Sequence, residues 1–134
     1  MSGPPDPNLD EARRWMAHAS EDWATAKELS RDRDAPARIA CFLVHLAAEK
    51  AIKAWLISLD TPFRKVHDLA ELRAMLPAAA AGQLDTLDLQ VLNPWSILGR
   101  YPDDVSEATK EQAAACVKAA QRVLEAAATV IHRQ

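Results

Sequence analysis

The apolar residues of this chain recur at helical spacing over most of its length. In residues 9–30 they follow one another in steps of three and four, and such a stripe predicts an amphipathic helix. Residues 39–48 are apolar at almost every position except His45, which is typical of a helix that is covered on more than one side. We therefore expect a central helix over about residues 35–59.

The second half of the chain is interrupted more often by proline, glycine and polar residues. Its pattern predicts a short helix over residues 69–76 and another over 84–92, followed by an ordered loop over 93–105. A continuous apolar stripe over 113–131 predicts a long final helix, with Ser106 as its N-cap. The pattern as a whole indicates an all-α protein, a four-to-five-helix up-and-down bundle.

Composition supports one helical domain behind a flexible leader. Alanine, the strongest helix former, occurs 27 times and glycine only 3 times. Residues 1–8 contain three prolines and no apolar periodicity, so we expect a flexible leader there, with Asp6 or Asn8 available as an N-cap. Residues 9–134 then form one bundle domain of ordinary size.

Charge and hydropathy limit the classes of function. A net charge of −3 and a pI of 5.8 argue against binding nucleic acid by bulk electrostatics, but they leave room for a local basic pocket. No run approaches the roughly 18 apolar residues of a membrane span, and the first ten residues lack the basic and apolar regions of a signal peptide. We expect a cytoplasmic protein that does not associate with membranes.

Cysteine and tryptophan are expected mainly in the core. Cys41 and Cys116 both lie in apolar helical pattern, which favours buried thiols over a disulfide or a redox pair. Three of the four tryptophans lie in or beside apolar stripes and are expected to fill the core: Trp15, Trp23 and Trp55. Trp95 lies in the predicted loop, so it is the tryptophan to test for base stacking.

Four short motifs follow one another along the predicted helices. They are RRWMAHASEDWATA, FLVHLAAEKAIKAWL, VHDLAELRAML and RYPDD. Together they resemble the HEPN family, the higher-eukaryote and prokaryote nucleotide-binding helical bundles, over about residues 9–131. The family's patterns are matched by Trp15, Ala19, Asp22 and Ala26, by Ala47, Glu49, Lys50, Lys53 and Ala54, by His67, Asp68 and Leu69, and by Arg100, Tyr101 and Pro102.

The resemblance implies a function as well as a fold. It implies a nucleotide- or RNA-associated binding module that acts with a separately encoded minimal nucleotidyltransferase, a role that includes the toxin component of a toxin–antitoxin pair. It also implies a homodimer, and the chain offers apolar surface for one because Trp15 and Leu29 lie off the first helical stripe.

Two departures from the family pattern bear on catalysis. Many members have glutamine where this chain has Leu46. Ribonuclease members carry an Arg-x(4–6)-His motif near the Arg-Tyr-Pro loop, whereas no histidine follows Arg100 until His132. A mechanism in which the arginine stabilises phosphate charge and a histidine moves the proton is therefore incomplete here, unless the fold brings His67 or His45 near Arg100. Whether the protein is an enzyme stays open.

A group of basic side chains near the end of the central helix forms the candidate phosphate site. Its members are Lys50 and Lys53 on one helical face, followed by Arg64, Lys65 and His67 in the segment that connects this helix to the next short one. The alternative is a solvated face with a Glu49–Lys53 ion pair. The resemblance adds Arg100 and Tyr101 as a functional loop, for which the alternative is an anchoring salt bridge to Asp103 or Asp104.

His67 has a structural alternative to catalysis, and a metal site is not expected. The His67 ring can bond a backbone carbonyl and fix the turn into the short helix, for which Asp68 is a suitable N-cap. Asp22 and Glu49 could be the paired carboxylates of a bundle metal site, but no Glu-x-x-His pair occurs in the chain. We expect neither a metal nor a cofactor.

Three hypotheses for function follow. The first is the binding module with its nucleotidyltransferase partner. The second is a metal-independent endoribonuclease that uses Arg100 with a non-standard base, for which His67 is the candidate. The third is a helical scaffold of the same family without nucleotide affinity.

Overall fold

A computed structural model of the chain describes residues 6–96 and 107–132. Within these ranges the chain is all-helical, with no strand, as the sequence pattern predicts. The elements are α1 (Pro7–Arg31), α2 (Ala37–Ser58), α3 (Leu69–Met75), α4 (Ala78–Ala81), α5 (Thr86–Leu92), a 3₁₀ helix (Asn93–Trp95) and α6 (Lys110–Ile131). Three long helices therefore form the body of the bundle, and the short ones connect α2 to α6.

Helix α1 begins earlier than its apolar stripe indicates. The side chain of Asp6 caps it by accepting hydrogen bonds from the N–H groups of Asn8 and Leu9, at 3.0 and 3.2 Å. Pro7 occupies the first helical position, where its missing N–H costs no intrahelical bond. Pro7 and Asn8 thus belong to the helix, and residues 1–5 of the predicted leader lie outside the described residues.

Helix α2 is the central element and packs against both α1 and α6. Its largest fully buried side chains are Trp55, Ile52 and Leu56. Five alanines of the helix are also fully buried, and their small side chains let the neighbouring helices approach closely: Ala40, Ala47, Ala48, Ala51 and Ala54. The continuous burial confirms the central helix that the sequence predicts.

The contacts of α6 fix its direction in the bundle. At its start, the Lys110 ammonium donates to the backbone carbonyls of Asp32 and Ala35, at 2.5 and 2.7 Å, in the loop between α1 and α2. Farther along α6, the carbonyl of Val117 accepts from the indole N–H of Trp23 at 2.9 Å. Helix α6 therefore runs antiparallel to α1.

The predicted cap of the final helix is wrong. Helix α6 starts at Lys110 rather than after Ser106, and Thr109 is its N-cap. The Thr109 hydroxyl accepts from the backbone N–H of Gln112 at 3.0 Å, and the Gln112 side chain accepts from the N–H of Thr109 at 2.9 Å. This reciprocal capping box satisfies two backbone donors at the start of α6. Ser106 itself lies outside the described residues.

Helix α2 ends in a turn that directs the chain into the connector of residues 59–68. Asp60 adopts a left-handed conformation, with φ of 50°. The N–H of Thr61 bonds the carbonyl of Leu56 at 2.9 Å, and the N–H of Asp60 bonds that of Ile57 at 3.0 Å. These are the two bonds of a Schellman motif, which usually has glycine at the left-handed position.

Both cysteines are buried and free, as expected from their surroundings. The pKa of the Cys116 thiol is raised well above its usual range by a hydrogen bond with Cys41 and further by burial. Cys116 therefore stays a neutral thiol between α2 and α6 and behaves as a small apolar side chain.

Few large apolar side chains are exposed on the described part of the chain. Leu87 is 65% and Val91 40% exposed, and the two lie four residues apart on α5. Trp15 and Leu29, which the sequence favours for an interface, are partly buried against the core.

None of the described helices is long and apolar enough to cross a membrane.

Candidate functional site

A polar cluster is buried between α2 and the connector. His45, Glu49 and Lys53 follow one another at intervals of four residues on α2, so they lie one above the other on the same face. Their residues are only 1%, 5% and 7% exposed. Burial of polar side chains is costly unless they are hydrogen-bonded or paired.

The carboxylate of Glu49 holds the cluster together. Its Oε2 accepts from the Lys53 ammonium at 2.9 Å, and its Oε1 lies 2.9 Å from Nδ1 of His67. Nδ1 of His45 is 3.9 Å from the same Oε1. We call His45, Glu49, Lys53 and His67 the Glu49 cluster. One carboxylate thus faces three nitrogen groups, and His67 is brought to it from the connector.

The two histidines of the cluster differ in their access to solvent. Burial lowers the pKa of His45, and the nearby Glu49 carboxylate only partly opposes this effect. His45 is therefore neutral near pH 7. The side chain of His67, in contrast, is 68% exposed while its Nδ1 lies on Glu49. The ring of His67 is thus held by a buried group, although most of its side chain is open to solvent.

The connector is tied to the rest of the fold at His67 and Asp68. The Asp68 side chain caps α3 by accepting from the N–H of Glu71 at 3.0 Å, as predicted. The side chain of Asn93, in the 3₁₀ helix, accepts from the N–H of Leu69 at 3.0 Å and donates to Asp68 at 3.4 Å. The His67 ring bonds the Glu49 carboxylate rather than the backbone carbonyl that the sequence suggests.

The five predicted donors separate into two groups. Lys50 binds the carboxylate of Asp22 on α1 at 2.7 Å, and Lys53 binds Glu49. Both ammonium groups are thus occupied, and the Glu49–Lys53 pair is buried rather than solvated. The other three donors, in the connector, are exposed: Arg64, Lys65 and His67. The two predicted loop residues, Arg100 and Tyr101, lie outside the described residues.

An aromatic pair borders the cluster. The rings of Trp15 and Phe63 meet edge to face, with centroids 6.4 Å apart and planes at 83°. The Lys53 ammonium lies 5.9 Å from the centre of the Phe63 ring. Phe63 therefore links α1 to the buried cluster, and it directly precedes Arg64 in the chain. Trp95 is partly buried against the core rather than fully exposed.

This arrangement is suited to binding an anion at the surface of the connector. Two cations and a histidine are exposed there, and the histidine is oriented by a buried carboxylate. Asp22 and Glu49 each bind a lysine, and no group of metal-ligating side chains is present among residues 6–96 and 107–132. The described site thus offers exposed hydrogen-bond donors of the kind that bind anions.

Sequence reasoning missed two parts of the site. The interval of four between His45 and Glu49 indicates that they share a helical face, but the apolar residues around His45 obscured it. Asn93 has no local signal for its role, since it reaches Asp68 and Leu69 from 24–25 residues further along the chain. That contact depends on how the short helices fold back.

The fold and site define a small all-α bundle with a basic surface connector supported by a buried ion pair. The family model for the HEPN domain matches residues 12–130, and the chain belongs to this family. A crystal structure of TT1696 from Thermus thermophilus is similar, with 26% identity and a TM-score of 0.72 over 88% of this chain and 96% of that one.

A second solved structure supports the same assignment. ST0689, an archaeal HEPN homologue, is 25% identical with a TM-score of 0.68, over 90% of this chain and 97% of its own. Both similarities extend over nearly the whole of each chain, so the bundle shares its fold with these two structures. The comparison with curated proteins gave no match.

Proposed function

We propose that this HEPN domain is a nucleotide- or RNA-associated binding module that acts as a homodimer with a separately encoded minimal nucleotidyltransferase, as the toxin component of a toxin–antitoxin pair. The observation that carries the proposal is the exposed basic connector at Arg64, Lys65 and His67, on a chain whose net charge is −3. Family membership supports the nucleotide-associated role.

The connector is built to hold cations at the surface. The buried Glu49 carboxylate bonds the ring of His67. The carboxylate of Asp68, the next residue, accepts from the backbone N–H of Glu71 and from the side chain of Asn93. Both carboxylates are therefore engaged elsewhere and do not neutralise the two cations of the connector. A phosphate at the connector would meet the guanidinium of Arg64 and the ammonium of Lys65, which are charged at neutral pH.

A binding experiment with a matched control tests this assignment. The double variant Arg64→Ala/Lys65→Ala should weaken the binding of a single-stranded RNA, because two phosphate contacts are lost. The control is Arg31→Ala/Arg33→Ala, which removes two exposed cations near the start of α2. Helix α2 has 22 residues, so these positions are about 30 Å from the connector. Equal loss of affinity in both variants would contradict the assignment.

The partner is tested by co-purification. A minimal nucleotidyltransferase encoded beside this chain should elute with it as one species, and its co-expression should relieve any growth arrest that this chain causes alone. Growth arrest that co-expression does not relieve would contradict the proposed partnership but not the proposed binding of nucleotide or RNA.

For the homodimer, α5 offers exposed apolar surface. Leu87 and Val91 lie on one face of this helix because they are four residues apart. Burying them against a second copy would remove from water the most exposed large apolar side chain of the described residues. We therefore place the proposed dimer contact at this face rather than at Trp15 and Leu29.

One observation favours a second function, a metal-independent endoribonuclease. An exposed histidine oriented by a buried carboxylate has the arrangement of a general base, and His67 on Glu49 supplies it. In this hypothesis Arg100 stabilises the phosphate charge. RNA cleavage that survives chelation and is lost in both Arg100→Ala and His67→Gln would support it. No cleavage by the purified protein would refute it.

A further inference from the structure

A groove between α1 and α2 lies beside the basic connector. Its volume is about 380 Å³, within the range of small-ligand sites, and it is lined by Glu11, Arg14, Trp15, His18 and Lys50. The sequence pattern places Trp15 among the core residues, whereas in the fold its ring is only partly buried and forms part of the groove wall.

The Trp15 ring is held in place from two sides. Its indole N–H donates to Oε1 of Glu11 at 2.9 Å, one helical turn earlier. Its ring and that of Phe63 form a T-shaped contact with a centroid distance of 6.4 Å. A ring fixed in this way loses little freedom when a flat molecule stacks on it, so it is preorganised as a stacking surface.

The rim of the groove carries both donors and acceptors. Arg14 binds Oε2 of Glu11, and hydrogen bonds from Arg14 and Trp15 lower the pKa of that carboxyl, so it stays charged. His18 is exposed on the next turn of α1. The Lys50 ammonium binds Asp22, so its aliphatic stem contributes to the wall. This mixture suits the edge of a heterocycle better than a purely apolar ligand.

The groove and the connector are adjacent. Phe63 packs against Trp15 and is followed directly by Arg64 and Lys65. Consecutive Cα atoms are about 3.8 Å apart, so Arg64 begins one residue from the ring that contacts Trp15, the aromatic side chain of the groove. A flat ring in the groove and an anion on the connector are therefore within the span of one small molecule.

The geometry points to a nucleobase subsite in this groove: the base of a nucleoside phosphate stacks on Trp15 while its phosphate lies on Arg64 and Lys65. This inference rests on the proposed function of the connector and adds what the module recognises besides phosphate. The connector supplies charge attraction that is common to all phosphates, and the groove supplies the preference for a base.

The test follows the indole signals of the ¹⁵N-labelled wild-type protein during titration with adenosine, ribose 5-phosphate and AMP. Adenosine and AMP should move the indole signal of Trp15, assigned with a Trp15→Phe variant, and ribose 5-phosphate should not. The signal of Trp55, which is 1% exposed, serves as the internal control and should not move. A fixed Trp15 signal at saturating AMP would overturn the subsite.

Affinities of variants separate this inference from the proposed function. Trp15→Leu should weaken AMP binding roughly 5- to 150-fold, because stacking on the ring is lost, and should leave ribose 5-phosphate unchanged. Arg64→Ala/Lys65→Ala should weaken the binding of both AMP and ribose 5-phosphate. If Trp15→Leu binds AMP with wild-type affinity while Arg64→Ala/Lys65→Ala binds it more weakly, the nucleobase subsite is refuted and phosphate binding at the connector is retained. If AMP, ribose 5-phosphate and single-stranded RNA all fail to bind, both proposals fall.

Discussion

Removing the buried charge of Glu49 is the most informative perturbation of the site. The variant Glu49→Gln keeps the size of the side chain but leaves the Lys53 ammonium without its counter-charge. The side chains of this pair are only 6% and 9% exposed, so water cannot replace the lost carboxylate. His67 would lose the negative charge beside its Nδ1 at the same time.

The expected cost follows from this burial. Breaking a buried ion pair by removing one partner destabilises proteins by about 3–5 kcal/mol, since an uncompensated charge stays in the interior. A domain is stable by only about 5–15 kcal/mol in total. We therefore expect Glu49→Gln to lose about a third of the stability of a typical domain, and the melting temperature to fall by roughly 12–20 °C.

Urea unfolding followed by circular dichroism measures this loss, and a double-mutant cycle with Lys53→Met isolates the pair. The double variant should be more stable than Glu49→Gln alone, because no buried charge is left unpaired. The control is Glu28→Gln at an exposed position of α1, which should change stability by less than about 0.5 kcal/mol. A coupling energy below about 1 kcal/mol between Glu49 and Lys53 would refute the reasoning.

Three further predictions follow from the fold. Thr109→Ala should lower the free energy of unfolding in urea by about 1 kcal/mol, because it removes the capping box of α6. Burial lowers the pKa of His45 from 6.5, so as the pH falls the unfolded chain takes up this proton before the folded chain does. The free energy of unfolding should therefore fall as pH drops from about 7 to about 5.5, and His45→Gln should reduce that slope. Leu87→Glu should convert the dimer to a monomer, as measured by light scattering at micromolar concentration. A wild-type protein that is already monomeric under these conditions would contradict the proposed dimer contact.

Much of the fold could be predicted because helical periodicity is local. The stripe of α1 and the apolar run of α2 are set by residues three and four apart, so neither needs knowledge of distant contacts. The ends of the helices were harder, since several polar residues near each end are able to cap. Thr109 rather than Ser106 starts α6 because only Thr109 has a glutamine three residues later.

The candidate site could be predicted only in part for the opposite reason. The spacing of Glu49 and Lys53 indicated an ion pair, but its burial depends on how the connector folds back over α2. His67 reaches Glu49 across 18 residues of sequence, and Phe63 meets Trp15 from a distant part of the chain, so no local pattern reveals either contact. The groove beside Trp15 is likewise a result of packing between elements.

The salt dependence of RNA binding tests the central claim most directly. For a single strand, each phosphate contact makes the negative slope of log affinity against log salt steeper by about 0.7. If the connector binds phosphate, Arg64→Ala/Lys65→Ala should make this slope shallower by roughly 1.4 than in the wild type. The control Arg31→Ala/Arg33→Ala should keep the wild-type slope. An unchanged slope in the connector variant would contradict the account.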